Sequence, residues 1–245
     1  MFNKLIRSPA YKTITEALQQ AIEERLLKLG DALPTEAALA EQFGVNRSTV
    51  REGIRHLEAA GFVQRQGKRL VVTRPSHDEL GDQVSRGLML HDVSFQDLWE
   101  VTMALEPLAA ELAARHISED QKSRLLENLE ATRRATDGGG DLVQLDVEFH
   151  ALVAQATENR PLLVARQPLS LLFYPAFANS MFPEKATQRL LAAHTMICDA
   201  IVAGDQGTAR EWMRKHIVDF KRGYEMAGLN IDDPVKLVRP PASDD

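Results

Sequence analysis

The sequence contains a single cysteine, Cys198, in 245 residues. That excludes an internal disulfide and any Cys-x-x-Cys zinc knuckle or redox pair. It has no apolar run near the ~20 residues a membrane span requires, and its opening stretch MFNKLIRSPAYK lacks the apolar core of a signal peptide. These absences predict a soluble, cytosolic protein with no membrane partner. There is also no P-loop, no His-Glu-x-x-His and no Ser/His/Asp set at recognisable spacing, which removes the commonest hydrolase and nucleotide-binding signatures. Apolar residues make up 44% of the chain, enough for a real core and too many for wholesale disorder. The net charge of −6, taken alone, argues against a polyanionic partner. The average hides an asymmetry, because residues 1–75 carry a net +4 and the remaining 170 a net −10. A basic module that meets a polyanion is joined to an acidic one that does not.

The basic module reads as three helices and a hairpin. Tyr11 to Leu29 forms one amphipathic helix with Ile14, Leu18, Ile22, Leu26 and Leu29 in register, closed by Gly30. Thr35 caps a short second helix that Gly44 ends, and Asn46 caps a third through Val50, Ile54 and Leu57, ended by Gly61. Phe62 to Arg65 and Arg69 to Thr73 are strands around the turn Gln66-Gly67-Lys68. Helix–turn–helix followed by a hairpin is a winged helix. Arg47, Ser48, Thr49 and Arg51 lie in the first turns of the third helix, opposite the core stripe. They are placed to meet base edges and phosphates in the major groove of double-stranded DNA, with Gln66, Gly67 and Lys68 as the wing contact.

From Phe95 onward, six helical segments are expected at about 95–116, 118–136, 141–158, 161–179, 184–203 and 207–226. The fold class is therefore mainly α, a winged helix–turn–helix with a small β-hairpin followed by an all-α antiparallel bundle. The expected domains are 1–74 for DNA binding, 75–94 as a linker with some helix, 95–230 as the helical sensor and 231–245 as a tail.

Within the bundle, Asp146 and His150 are one turn apart on one helix, His194 falls in the stripe Leu190, Ile197, Ile201, and His216 in the stripe Ala209, Met213, Phe220. Three imidazoles and a carboxylate thus point into apolar surroundings from three helices. Each unpartnered buried polar group costs about 1–3 kcal/mol, so a shared partner is expected. A divalent cation, zinc, nickel or manganese, satisfies all four. Cys198, one turn after His194, is either a fifth ligand or a small buried hydrophobe.

Two resemblances sharpen this reading. Leu33-Pro34-Thr35-Glu36, Leu39-Ala40, Phe43-Gly44-Val45, Arg47 to Glu52 and Leu57 to Phe62 resemble the N-terminal domain of the GntR family of bacterial transcriptional regulators, over residues 11–74. An arginine common in that family after the glutamate is Ala37 here. Leu105-Glu106-Pro107, Asp146 to His150, His194 to Ile197, Gly204-Asp205, Ala209 and His216 resemble the FCD ligand-binding domain of the FadR subfamily. That resemblance implies a metal on Asp146, His150, His194 and His216, and a small effector, often an organic acid, bound beside it near Thr102 and Glu106. Thr102 stands where such members often place a carboxylate-clamping arginine, and a hydroxyl does not replace a bidentate guanidinium. The expected function is an effector-responsive, homodimeric DNA-binding repressor and not an enzyme. A metal-dependent hydrolase on a helical bundle and a DNA-binding protein without an effector are the alternatives.

Overall fold

The computed structural model describes residues 9–75, 77–136, 141–174 and 184–235. The chain divides into two compact units, Met1–Glu79 and Leu80–Asp245. The first contains α1 (Ala10–Glu23), α2 (Glu36–Phe43), α3 (Arg47–Ala59), β1 (Val63–Gln66) and β2 (Arg69–Val72). Ile14, Leu18, Leu39, Val50, Ile54, Leu57, Val63 and Val72 form its core. The strands pair antiparallel with Val63 opposite Val72 and Gln66 opposite Arg69, and Gly67 takes φ 61° in the turn between them. Ala32 bridges Val71, so the segment before α2 lends the hairpin a third edge.

Two local expectations are corrected. The first helix stops at Glu23 instead of Leu29. Arg25 turns left-handed at φ 60°, the Leu27 amide donates back to the Ala21 carbonyl at 3.0 Å, and Leu26 and Leu29 are 72% and 58% exposed. Their spacing matched the apolar stripe by coincidence. Gly30, at φ 90°, instead shapes the turn that leads into the hairpin, its N–H donating to the Val72 carbonyl. Asn46 occupies the cap position of α3, but its side chain makes no capping hydrogen bond. Thr35 does cap α2, its hydroxyl accepting from the Ala38 amide at 3.2 Å, and Gly44 ends that helix in the left-handed region.

The second unit is helical: α4 (His77–Leu90) runs in from the boundary, followed by α5 (Phe95–His116), α6 (Glu119–Thr136), α7 (Leu142–Gln155), α8 (Arg160–Phe173), α9 (Glu184–Ala203) and α10 (Gln206–Met226). Side-chain caps set four of these starts. Ser94 and Asp97 form a reciprocal capping box on α5, while Asp141, Asn159 and Asp205 accept from backbone amides three residues on. Residues 175–179 of the expected fourth bundle helix and the glycines at 138–140 lie outside the described residues.

Helix α4 occupies most of the stretch that reads as a linker in the sequence. Its glycine and serine are packing positions there, not breaks. A Cβ on Gly81 would fall 2.5 Å from the Gln167 side chain, and Ser85 is buried, with its hydroxyl bonded to the Gly81 carbonyl at 2.8 Å. At the other end, residues 231–235 are docked against the start of α5. The Gln96 amide donates to the Ile231 carbonyl, the Val235 amide to the Val93 carbonyl, and Val235 is buried. The rest of the expected tail, 236–245, lies outside the described residues.

Gly53 fixes how closely α3 approaches α1. A Cβ there would lie 3.0 Å from the Tyr11 carbonyl oxygen and 3.3 Å from Ile14 Cγ2 and Thr15 Oγ1. Substitution Gly53→Val is expected to destabilise the first unit by about 1–3 kcal/mol, the usual cost of overpacking. Urea unfolding followed on that unit checks this, and an unchanged midpoint would contradict the close helix contact.

Candidate metal centre and nucleic-acid interface

The first unit presents its polar residues as the sequence arrangement requires. Val50, Ile54 and Leu57 are buried beneath α3, while Arg47, Ser48 and Arg51 are exposed and Thr49 is partly so. Gln66, Gly67 and Lys68 are exposed at the hairpin turn, and Thr35, Ala37 and Asn46 are exposed near the helix starts. One partner was not foreseen. Arg51 forks onto Glu36 of α2, with Nε donating at 3.1 and 3.2 Å and Nη2 at 2.7 Å. This hydrogen-bonded pairing holds the Glu36 carboxyl below its ordinary value and raises that of Arg51. It also pre-orders a guanidinium that would otherwise sample many rotamers in solvent.

In the second unit, Asp146 and His150 of α7, His194 of α9 and His216 of α10 converge. All four are buried, and one ligand atom from each lies within 4.8 Å of the others. The helix period of α7 aligns Asp146 with His150, and Phe149 beside them stacks on the His194 ring at 3.7 Å. His194 Nε2 lies 3.1 Å from Asp146 Oδ1, close enough for a hydrogen bond, yet neither atom has a hydrogen-bond partner among the described residues. His150 Nε2 and His216 Nε2 stand 3.1 Å apart, at 3.8 and 3.7 Å from the same carboxylate oxygen. Nitrogens and oxygen thus gather around a common point. Metal–ligand bonds of about 2.0–2.2 Å would set tetrahedral ligand atoms roughly 3.4 Å apart, a spacing inside the range of separations found here.

The electrostatics suit a cation. Burial by itself would raise the Asp146 carboxyl, but the adjacent His194, His216 and His150 hold it far below the usual range, so it is an anion. Burial pushes His194 down to about 4, against the pull of Asp146, which keeps its imidazole neutral and its lone pair free. Cys198, the alternative fifth ligand, is buried outside the group; its thiol is pushed up to about 12 by burial and by Asp199, so it is a neutral hydrophobe.

Behind the ligands is a second layer. Glu106 of α5, expected near an effector, has both oxygens engaged by the protein: Oε2 accepts from His150 Nδ1 at 2.9 Å and Oε1 from Arg166 Nε at 2.7 Å. The carboxylate therefore fixes the His150 tautomer with the proton on Nδ1 and leaves Nε2 facing the cluster. Burial would raise Glu106, but the Arg166 guanidinium and His150 hold it at about 2. Thr102 is buried one turn earlier on α5. Arg166 is the buried charged residue beside the cluster that sequence reasoning missed. Its signal was present, since Leu162, Arg166, Ser170 and Phe173 share the buried face of α8. A surface cleft lined by Ala186, Leu190, His216, Asp219, Phe220 and Gly223 gives His216 a route to solvent.

Removing the carboxylate leaves a charged guanidinium without compensation in the interior. Glu106→Ala is expected to cost the second unit about 3–5 kcal/mol, as for other buried pairs broken on one side. Chemical denaturation measures this, and a loss below the usual surface-mutation range would show that Arg166 is solvated.

Two family profiles match the chain, one over each unit. The FCD domain profile matches residues 97–219, half of the chain, and the profile "Bacterial regulatory proteins, gntR family" matches residues 10–72. Over 232 residues the chain is 27% identical to the "HTH-type transcriptional repressor NanR" of Salmonella newport (strain SL254), covering 91% of this chain and 88% of that protein. The protein of the same name from Salmonella typhimurium (strain LT2) gives the same identity and coverage. The solved structure "Streptococcus agalactiae GntR" is 28% identical with a TM-score of 0.59, covering 86% of this chain and 99% of that one. No helix among the described residues is long and apolar enough to cross a membrane. A winged helix matched by one profile and a helical bundle matched by the other make this chain a member of the FCD-containing gntR family of bacterial transcriptional regulators.

Proposed function

We propose that the chain is a homodimeric repressor whose operator affinity is set by a small effector bound at a divalent metal ion on Asp146, His150, His194 and His216. The observation that carries the sensor half is the convergence of buried donor atoms on one point, with Asp146 Oδ1 and His194 Nε2 unpartnered. Bound there, the ion would offer an effector an electrophilic anchor; zinc, nickel and manganese all accept this donor set. Glu106 positions His150 and is not itself an effector contact. The printed name of the Salmonella relatives supports repression as the direction of control.

In the DNA-binding half, Arg47 and Arg51 supply base-edge and phosphate contacts, and Ser48, Thr49, Thr35 and Asn46 supply shorter polar ones. Gln66, Gly67 and Lys68 form the wing contact. One α3 reads only a few base pairs, so a two-fold dimer on an inverted repeat is the economical arrangement. Control follows from linkage: if effector and operator favour different states of the dimer, each weakens the other's binding by the same factor.

The experiment on the DNA half is a salt titration of operator binding. Arg47→Ala is expected to weaken specific binding by the ~1–3 kcal/mol of a good base contact, or to flatten the log–log salt slope by about one if it meets phosphate. Wild-type affinity and slope in this variant would remove α3 from the interface. On the sensor half, a chelator should lower the unfolding temperature of the second unit, because an ion bound only by the folded state stabilises it by mass action. His194→Ala should abolish that chelator effect and leave the first unit folded; an equal chelator shift in the variant would place the ion elsewhere.

A further inference from the structure

Arg51 does not stand free on α3. Glu36, the first residue of α2, takes its guanidinium along one edge. Arg51 Nε donates to Oε1 at 3.1 Å and to Oε2 at 3.2 Å, and Nη2 donates to Oε2 at 2.7 Å. The carboxylate belongs to a helix that Thr35 caps immediately before it, so the fold of the unit fixes its place. The guanidinium is the more open partner, with side-chain exposures of 57% for Arg51 and 22% for Glu36. A guanidinium carries five N–H donors in a fixed planar fork. Glu36 uses the Nε–Nη2 edge, which leaves both N–H groups of Nη1 and one of Nη2 out of the pairing. That remaining Nη1–Nη2 fork can straddle guanine O6 and N7 end-on. A phosphate is less demanding, because either fork of a free arginine serves it.

Charge adds to this geometry. The hydrogen bond from Arg51, with the charges of Arg51, Arg47 and Arg65 behind it, holds the Glu36 carboxyl below its ordinary value. Glu36 is therefore an anion in the field of three cations. Such a charge weakens attraction to every phosphate alike, whatever the base sequence. Stability does not explain it, since an exposed ion pair contributes little. We infer that Glu36 is a specificity-determining residue of the DNA-reading surface: it reserves the end-on fork of Arg51 for a guanine edge and weakens binding to DNA that lacks one. This rests on the reading of α3 as the helix that enters the major groove.

The probe is a pool of duplex DNA with a randomised centre, bound to the full chain. Sequences enriched by each protein are read out, and affinity for the unselected pool is measured across a salt series. Arg51→Lys keeps the charge and loses the fork, so the position at which its guanine enrichment vanishes is the base pair that Arg51 reads. Glu36→Gln keeps the side-chain length and removes the anion. It is expected to lose guanine preference at that same position and to bind the unselected pool severalfold more tightly at low salt. Its log–log salt slope should steepen by about one per bound chain. Its unfolding temperature should match wild type, so a merely structural glutamate would not produce this combination. Placed on top of Arg51→Lys, Glu36→Gln should leave the base preferences unchanged. Guanine enrichment at wild-type strength in Glu36→Gln overturns the inference even if pool affinity rises, and so does a pool affinity equal to wild type. If Arg51→Lys alters no position, Arg51 reads no base; the inference falls, and the groove reading stands on Arg47. A wild type that enriches no sequence removes both.

Discussion

The sensor half is organised by one constraint: four polar groups have been taken out of water, and Asp146 Oδ1 and both His194 nitrogens have no hydrogen-bond partner among the described residues. Asp146, His150, His194 and His216 are buried on three helices, and their donor atoms face a shared point. Each ionised or unsatisfied group in such a place works against folding unless something compensates it. A cation at that point would satisfy those atoms and tie α7, α9 and α10 together. The order of α5 and α8 around them follows, because Glu106 and Arg166 exist in this interior only as a pair, and that pair aims His150.

The DNA-binding unit obeys a different logic. Its core is a compact apolar cluster with no buried ionic group among the described residues, and its charge is spent on the surface. The Arg51–Glu36 fork is the exception. More than half of the arginine side chain is exposed, so the pairing adds little to stability. Its consequence is conformational: the exposed guanidinium is held in one orientation by the Glu36 carboxylate.

How much was legible in the sequence depended on the range of the interaction. Helical period alone placed Asp146, His150, His194 and His216 inside, because a residue's face on a helix is fixed by its neighbours three and four positions away. The six bundle helices were legible from their apolar spacing and breaks, and Ser94, Asn159 and Asp205 cap three of them in the structure. Helix α4 was legible only as a partly helical linker, since Gly81 and Gly87 look like breaks until Gln167, far along the chain, is seen filling the space beside Gly81. The end of α1 was obscured because Leu26 and Leu29 continue the apolar spacing while facing solvent. Arg166 was overlooked for a related reason: arginine is almost never fully buried unless paired, and its partner Glu106 lies 60 positions away, beyond any local pattern.

The central claim is that the buried cluster is a metal site made of nitrogen and oxygen donors with the nearby thiol excluded. X-ray absorption at the zinc edge, on the purified full chain loaded with one equivalent, tests it most directly. The account predicts a first shell of nitrogen and oxygen at about 2.0–2.2 Å with imidazole scattering beyond it. A sulfur shell near ~2.3 Å, which would bring in Cys198, or a spectrum indistinguishable from zinc in buffer, would contradict it.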